Sequence, residues 1–211
     1  MPELSRLYDA ILNGDDKLAL ELTKEALYEG ITPVELISKW MIPAMDEVGR
    51  LFECQEFFVP ELLLAGRAMK ATLDPIRPLL VASGVQPAGL VIIGTVKGDL
   101  HDIGKNIVAS MLEGSGFEVL DLGIDVPSEK FVETVKNNRP HILALSALLT
   151  VTMPEMKKTI DALIQAGVRD KIKVIIGGAP VTRKYAEEIG ADGFGDNAIA
   201  AVTVARALML K

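Results

Sequence analysis

The chain has 211 residues, 49% hydrophobic and 24% charged, which excludes a disordered chain and leaves room for one large domain or two small ones. Its net charge of −7, from 22 basic and 29 acidic side chains, argues against a nucleic-acid binder working by phosphate neutralisation. The uncharged run Ala88–Val96 falls far short of the ~20 apolar residues that cross a bilayer. The start, Met1 to Arg6, lacks the basic-then-apolar pattern of an export signal. The one cysteine, Cys54, cannot close an internal disulfide and suits a reducing cytoplasm. Charge is unevenly placed, with 8 basic and 14 acidic side chains up to residue 88 against 14 and 15 beyond it. Such asymmetry marks a change of domain, expected here as 1–87 and 88–211.

The first part reads as helix throughout. Leu4, Leu7, Ile11 and Leu12 recur at helical spacing until Asn13 and Gly14 stop the run. Leu18 to Tyr28 repeats the pattern and ends at Gly30, suited to a left-handed cap. Thr32, Pro33 and Glu35 form a capping box with proline at the first helical position, opening a helix that carries Trp40, Met41, Met45 and Val48 towards Phe52. A fourth helix starts at Pro60 and carries Leu62, Leu63, Met69 and Leu73. Four helices with short connections predict an up-and-down four-helix bundle. Most methionines here fall at core spacing, and Cys54 reads as a small apolar residue.

Ser83–Gly89 is the expected linker, rich in breakers. After it come short apolar runs, Leu90–Thr95, Phe117–Leu122, His141–Ser146, Lys173–Gly177 and Ala191–Phe194, which read as strands. Helical patterns follow them at 104–114, 128–138, 153–166, 180–189 and 196–209. This alternation predicts an α/β domain with a five-stranded parallel sheet in the 2-1-3-4-5 order of flavodoxin-like folds. Ligands then belong beyond the carboxyl ends of strands 1 and 3, against Val96–Ile103, Ala147–Thr152 and the Gly177-Gly178 end of strand 4. His141 opens strand 3 at the far end and reads as a strand-edge residue.

The first loop matches no common phosphate loop. Five residues separate Gly98 from Gly104, one too many for a Walker loop, and Asn106 stands where a hydroxyl is needed. The Gly-x-Gly-x-x-Gly fingerprint does not occur at this turn. Two histidines and one distant cysteine cannot supply a zinc site. What remains is His101 two residues after Asp99. A carboxylate holding one imidazole nitrogen frees the other for a metal. Alternatively, His101 caps the following helix and Asp99 is an exposed loop acid.

Asp99-x-His101-x-x-Gly104, Ser146-x-Leu148 and Gly177-Gly178, in that order at three strand ends, resemble the signature of cobalamin-binding domains of the methionine synthase type. Val48-Gly49-x-Leu51-Phe52 and Phe58-Val59-Pro60-Glu61 are similar to the helical cap that precedes this module in methyl-transfer proteins. The resemblance spans nearly the whole chain and implies a free-standing corrinoid protein of a three-component methyltransferase system. It implies His101 as axial ligand to cobalt, held by Asp99, with Thr152 standing where methionine synthase has a serine. Gly98, Leu100, Asp102 and Gly104 would complete the loop's cofactor contacts. Ser146, Leu148, Thr150, Gly177, Gly178 and Ala198 would line the displaced nucleotide tail. Phe52 and Val59 would shield the methyl group, or else belong to the bundle core.

The implied function is a cytoplasmic methyl carrier, not catalytic alone. Cobalt(I) would accept a methyl group from a substrate-specific methyltransferase, and methyl-cobalt(III) would donate it to a second methyltransferase acting on tetrahydrofolate or coenzyme M. A reductive activator is an expected further partner; nucleic acid and membrane are not. Gly84, Pro87 and Gly89 are the expected hinge by which the cap moves. The rival readings are the small subunit of an adenosylcobalamin mutase, which needs no helical cap, and a cobalamin-sensing regulator, for which residues 1–88 offer no basic helix. A flavodoxin-like signalling domain without cobalamin is a third.

Overall fold

The computed structural model describes residues 4–83 and 87–210. The chain divides into two compact units, Met1–Pro87 with Ser110–Gly116, and Ala88–Ala109 with Phe117–Lys211. The first contains α1 (Leu4–Leu12), α2 (Asp16–Tyr28), α3 (Pro33–Leu36), α4 (Ile42–Glu53) and α5 (Val59–Ser83). Between α3 and α4 the helix widens into a π turn at Ile37–Met41. The three segments make one long third helix, so the four expected helices are all present.

Local chemistry accounts for the boundaries. Gly14 turns the chain between α1 and α2 at φ +72°, and a Cβ there would lie 2.4 Å from that of Leu64. The Asp15 side chain caps α2 by accepting the Leu18 N–H at 3.0 Å. Gly30 closes α2 at φ +88° while the Ile31 N–H returns to the Ala26 carbonyl. Thr32 accepts the Glu35 N–H, but the Glu35 carboxylate pairs with Lys39 at 2.9 Å. Apolar side chains from all these helices, among them Leu7, Ile11, Met45, Leu62, Met69 and Ile76, are fully buried.

Two features of this unit differ from the sequence expectation. Helix α5 runs on through Pro75 and Pro78 to Ser83. Each proline removes a helix N–H, yet Leu73 and Ile76 remain buried on the face begun by Leu62. Cys54 is exposed, not a packed apolar residue, because it caps the end of α4, where Arg50 approaches its sulfur at 3.8 Å. Of the expected linker and hinge, Gly84, Val85 and Gln86 lie outside the described residues.

The second unit alternates β1 (Leu90–Thr95), α6 (Ile103–Gly114), β2 (Glu118–Asp121), α7 (Ser128–Asn138), β3 (Ile142–Ser146), α8 (Met153–Gln165), β4 (Lys173–Gly177), α9 (Arg183–Ile189), β5 (Gly193–Gly195) and α10 (Ala198–Met209). The last turn of α6, from Ser110, is the segment that groups with the first unit. The strands lie in the order β2-β1-β3-β4-β5, all parallel, as the alternation predicts. Register aligns Thr95, Ser146, Gly177 and Gly195 across four strands, so the carboxyl ends finish level.

Boundary shifts have local causes. Helix α9 starts at Arg183, not at 180, because Val181 turns back on the Gly178 carbonyl and Thr182 supplies the cap. Strand β5 begins two residues later than expected because Asp192 is tied to Val174 through both its backbone and its carboxylate. His141 is exposed just before β3, with Nδ1 accepting the Leu90 N–H at 3.1 Å. No described helix is long and apolar enough to cross a membrane.

One core gathers Ile92, Leu143, Leu145, Val174 and Ile176 of the strands with Phe131, Met156, Ile160 and Leu163 of α7 and α8. Phe131 is wholly buried, and a Cβ on Gly94 would come within 2.8 Å of its ring. Phe131→Ala should therefore lower the unfolding free energy of the apoprotein by ~3–5 kcal/mol. Urea unfolding monitored by circular dichroism measures this, and a loss below ~1 kcal/mol would mean the cavity collapses.

Candidate functional site

The level strand ends gather the Val96–Ile103, Ala147–Thr152 and Gly177-Gly178 segments, and Asp99 joins the first two. Its side chain has no exposed surface. Oδ2 accepts the Leu148 N–H at 2.7 Å, the Leu149 N–H at 3.3 Å and the Thr152 hydroxyl at 2.7 Å. Oδ1 accepts the His101 N–H at 3.1 Å and faces the ring Nδ1 at 2.7 Å. The Thr95 hydroxyl donates to the His101 carbonyl at 2.9 Å, pinning the loop to the end of β1.

This geometry bears on both readings of the loop. Asp99 is not an exposed acid, and the imidazole is engaged with Asp99 while Asp102 and Asn106 hold the first turn of α6. Burial pushes the Asp99 carboxyl up, but the Thr152 hydroxyl, the Leu148 N–H and the two His101 donors outweigh it. The group is held well below the usual carboxylate range. An ionised carboxylate only accepts, so Nδ1 carries the hydrogen and a neutral ring has its lone pair on Nε2. The His101 side chain is 49% exposed, whereas the group that orients it is buried.

Sequence reasoning missed the other side of this loop. The segment after β2 holds it through Asp125, whose Oδ1 accepts the Gly98 N–H at 2.7 Å and whose N–H donates to the Asp99 carbonyl at 3.0 Å. Gly123 accepts the Thr95 N–H, and Val126 donates to the Thr95 carbonyl. Below them the buried Lys105 ammonium pairs with Asp121 and donates to Asn106 at 2.7 Å. The signal available in the sequence was Gly123-x-Asp125 just past a strand, which is turn chemistry with no sign of a partner 27 positions away.

The remaining expected site residues divide into groups. Gly98 sits at φ +80° and needs glycine for that conformation. Leu100, Ile103, Leu148, Leu149 and Val151 are exposed apolar side chains on the two central loops, and Thr150 is exposed among them. Ser146 is half-buried. Gly177 and Gly178 have a reason in the protein itself, since Cβ atoms there would lie 2.7 Å from the Gly195 carbonyl oxygen and 1.9 Å from that of Ala147. Ala198 is buried at the start of α10, behind the Asn197 cap. In the first unit Phe52 is half-buried and Val59 exposed, so the bundle-core alternative fails for Val59.

Residues 89–203 match the B12 binding domain family, and residues 3–76 match a second B12 binding domain model. The trimethylamine corrinoid protein 1 of Methanosarcina acetivorans is 46% identical, covering 98% of this chain and 97% of that protein. The dimethylamine corrinoid protein of Methanosarcina barkeri is 41% identical over 98% and 97%. A cobalamin-binding protein from Desulfitobacterium hafniense superposes with a TM-score of 0.81 at 37% identity, covering 99% of both chains. A chain of the methanol:cobalamin methyltransferase complex from Methanosarcina barkeri gives a TM-score of 0.84 at 31% identity, covering 97% of this chain and 78% of that one. The chain belongs to the B12-binding corrinoid proteins.

The residues of this corrinoid protein fit that cofactor. A cobalt ion already held by a macrocycle needs one protein nitrogen, and Nε2 of an oriented, half-exposed imidazole can supply it. The apolar side chains on both loops suit the face of a corrin ring. Gly104 has nothing within 4 Å of where its Cβ would be. That opening at the start of α6 leaves room for a ligand to approach the backbone.

The Thr152 hydroxyl has one hydrogen and two acceptors, Asp99 Oδ2 and the Leu149 carbonyl at 2.9 Å. Thr152→Val should destabilise the apoprotein by about 1.5–3 kcal/mol at pH 7, the usual range for a bond to a charged group, and Thr152→Ser by less. Asp99 has a depressed folded pKa, so its contribution is complete above its unfolded value of about 3.9 and is lost as pH falls through the folded value. The Val penalty should accordingly shrink as pH drops below about 4. Urea titrations of both variants from pH 7 downward measure it, and a penalty independent of pH would contradict the assignment.

Proposed function

We propose that this corrinoid protein is the methyl carrier of a methylamine methyltransferase system. The observation that carries the reading is the His101–Asp99 pair, a half-exposed imidazole oriented through Nδ1 by a buried carboxylate. The relatives named for trimethylamine and dimethylamine support the amine donor. When bound, the corrinoid supplies a cobalt centre that takes a methyl group from one methyltransferase and yields it to another.

The protein's own residues hold and orient. His101 would offer Nε2 to the cobalt, while Asp99 fixes the imidazole and Thr152 holds Asp99. Gly98, Leu100, Asp102 and Gly104 would complete the loop's contacts to the corrinoid, while Ser146, Leu148, Thr150, Gly177, Gly178 and Ala198 would line its nucleotide tail. Residues 1–87 would serve as the cap, where Phe52 and Val59 would shield the methyl group, and 88–211 would serve as the cofactor domain. The partners are an amine-specific methyltransferase, a second methyltransferase delivering to coenzyme M or tetrahydrofolate, and a reductive activator. The exposed thiol of Cys54 fits a reducing cytoplasm.

Two measurements test this reading. In the cobalt(II) form, the wild type should show nitrogen coupling from a protein histidine by electron paramagnetic resonance, and His101→Ala should abolish it. Coupling that survives the substitution would remove His101 from the metal. The reduced, corrinoid-loaded protein should also be methylated by an amine-specific methyltransferase with its amine, followed by absorbance. Methylation by a methanol-specific partner alone would overturn the amine donor and leave the carrier role standing.

A further inference from the structure

We infer that Asp125, on the segment between β2 and α7, is a positioning residue for the axial histidine. The inference rests on the reading of His101 as the cobalt ligand. Asp125 acts on the two residues that precede the ligand loop's working part. Its carboxylate accepts the Gly98 N–H at 2.7 Å, and its N–H donates to the Asp99 carbonyl at 3.0 Å. Gly98 lies at φ +80° and Asp125 at φ +53°, so two left-handed residues face each other across this pair of bonds. Left-handed backbone in a residue other than glycine is uncommon and is best tolerated by Asp and Asn.

The contact completes a bracket. From the β3 side, Leu148, Leu149 and Thr152 hold the Asp99 side chain. From the β2 side, Asp125 holds the backbone on either side of the Gly98–Asp99 peptide, while Gly123 and Val126 hold Thr95. The same segment is anchored by Asp121, whose carboxylate accepts the Gly123 N–H at 2.8 Å and meets the buried Lys105 of α6. The β3 side sets where the carboxylate lies. The β2 side sets the direction in which the loop leaves β1, and hence where the imidazole two residues later points. Residues supporting a ligand from behind fix ring orientation and cost metal affinity when lost.

Three substitutions separate the acceptor from the backbone conformation. Asp125→Gly relaxes the left-handed backbone and removes the acceptor. Asp125→Ala removes the acceptor and keeps the strain. Asp125→Asn keeps both the acceptor oxygen and the tolerance for this conformation. Asp125→Gly and Asp125→Ala should weaken cob(II)alamin binding by about 10-fold and reduce the share of cobalt(II) that shows histidine nitrogen coupling. Asp125→Asn should stay near the wild type in both. Full histidine coupling in the Gly or Ala variant overturns the proposal, as does an Asn variant as impaired as the Gly variant. Absence of coupling in the wild type would overturn the His101 reading itself, and this inference with it. Amide exchange in the unsubstituted apoprotein gives a test that needs no variant to fold. The Gly98 N–H should exchange more slowly than the same amide in an unstructured peptide of the same sequence, and exchange at the unstructured rate overturns the proposal.

Discussion

An ionised carboxylate removed from water costs several kcal/mol unless donors replace the water it loses, and Asp99 is removed completely. Among the described residues no ammonium or guanidinium bonds to it. Its compensation comes from N–H and O–H donors, three on Oδ2 and two on Oδ1. Four of the five belong to loops that fold whatever the site binds, namely the backbone of His101, Leu148 and Leu149 and the hydroxyl of Thr152. The fifth is the ring whose orientation matters. The energetic demand of one buried charge thus fixes two loops against each other and one imidazole against both.

Sheet order makes this possible. With β1 beside β3 and register pairing Thr95 with Ser146, the loops leaving those strands start at the same height and must meet. Strand β4 brings Gly177 level with them, and the glycine pair there lets its chain pass the carbonyls of Gly195 and Ala147. A glycine pair read only as a wall for a flat ligand is therefore also a condition for the sheet to close up at this end. Gly104 is the contrasting case. It has an ordinary helical position and open space where a side chain would stand, so the fold itself does not demand it.

Periodicity made the helices, the strands and the order of the sheet legible, because buried parallel strands are short apolar runs and little else looks like them. Boundaries slipped where side chains intervened, as at Asp192 before β5 and Thr182 before α9. The π turn at Ile37–Met41 was invisible because the apolar pattern continues through it. Within it the indole N–H of Trp40 is buried with no hydrogen-bond partner among the described residues. Asp99 and His101 were legible as a pair from their spacing. The depth of Asp99 was not, since an acid on a glycine-flanked loop is ordinarily solvated. Asp125 was least legible of all, because it acts across 27 positions and through the backbone of its targets.

The division between rigid and free parts bears directly on how His101, as the proposed cobalt ligand, would leave and return. The backbone of the loop is tied to Thr95 at the end of β1 and to Asp125 on the segment after β2, and the Asp99 carboxylate is buried. The imidazole stands nearly half exposed above that base, and its Nδ1 contact with Asp99 orients it. A ligand that leaves and returns as a metal changes oxidation state needs little travel if ring tilt alone suffices. It must also come back to the same place, which requires that the loop beneath it not relax in the interval. A loop held on the β3 side through a side chain and on the β2 side through its backbone meets both requirements, because losing a metal contact at His101 would remove none of the bonds that shape it.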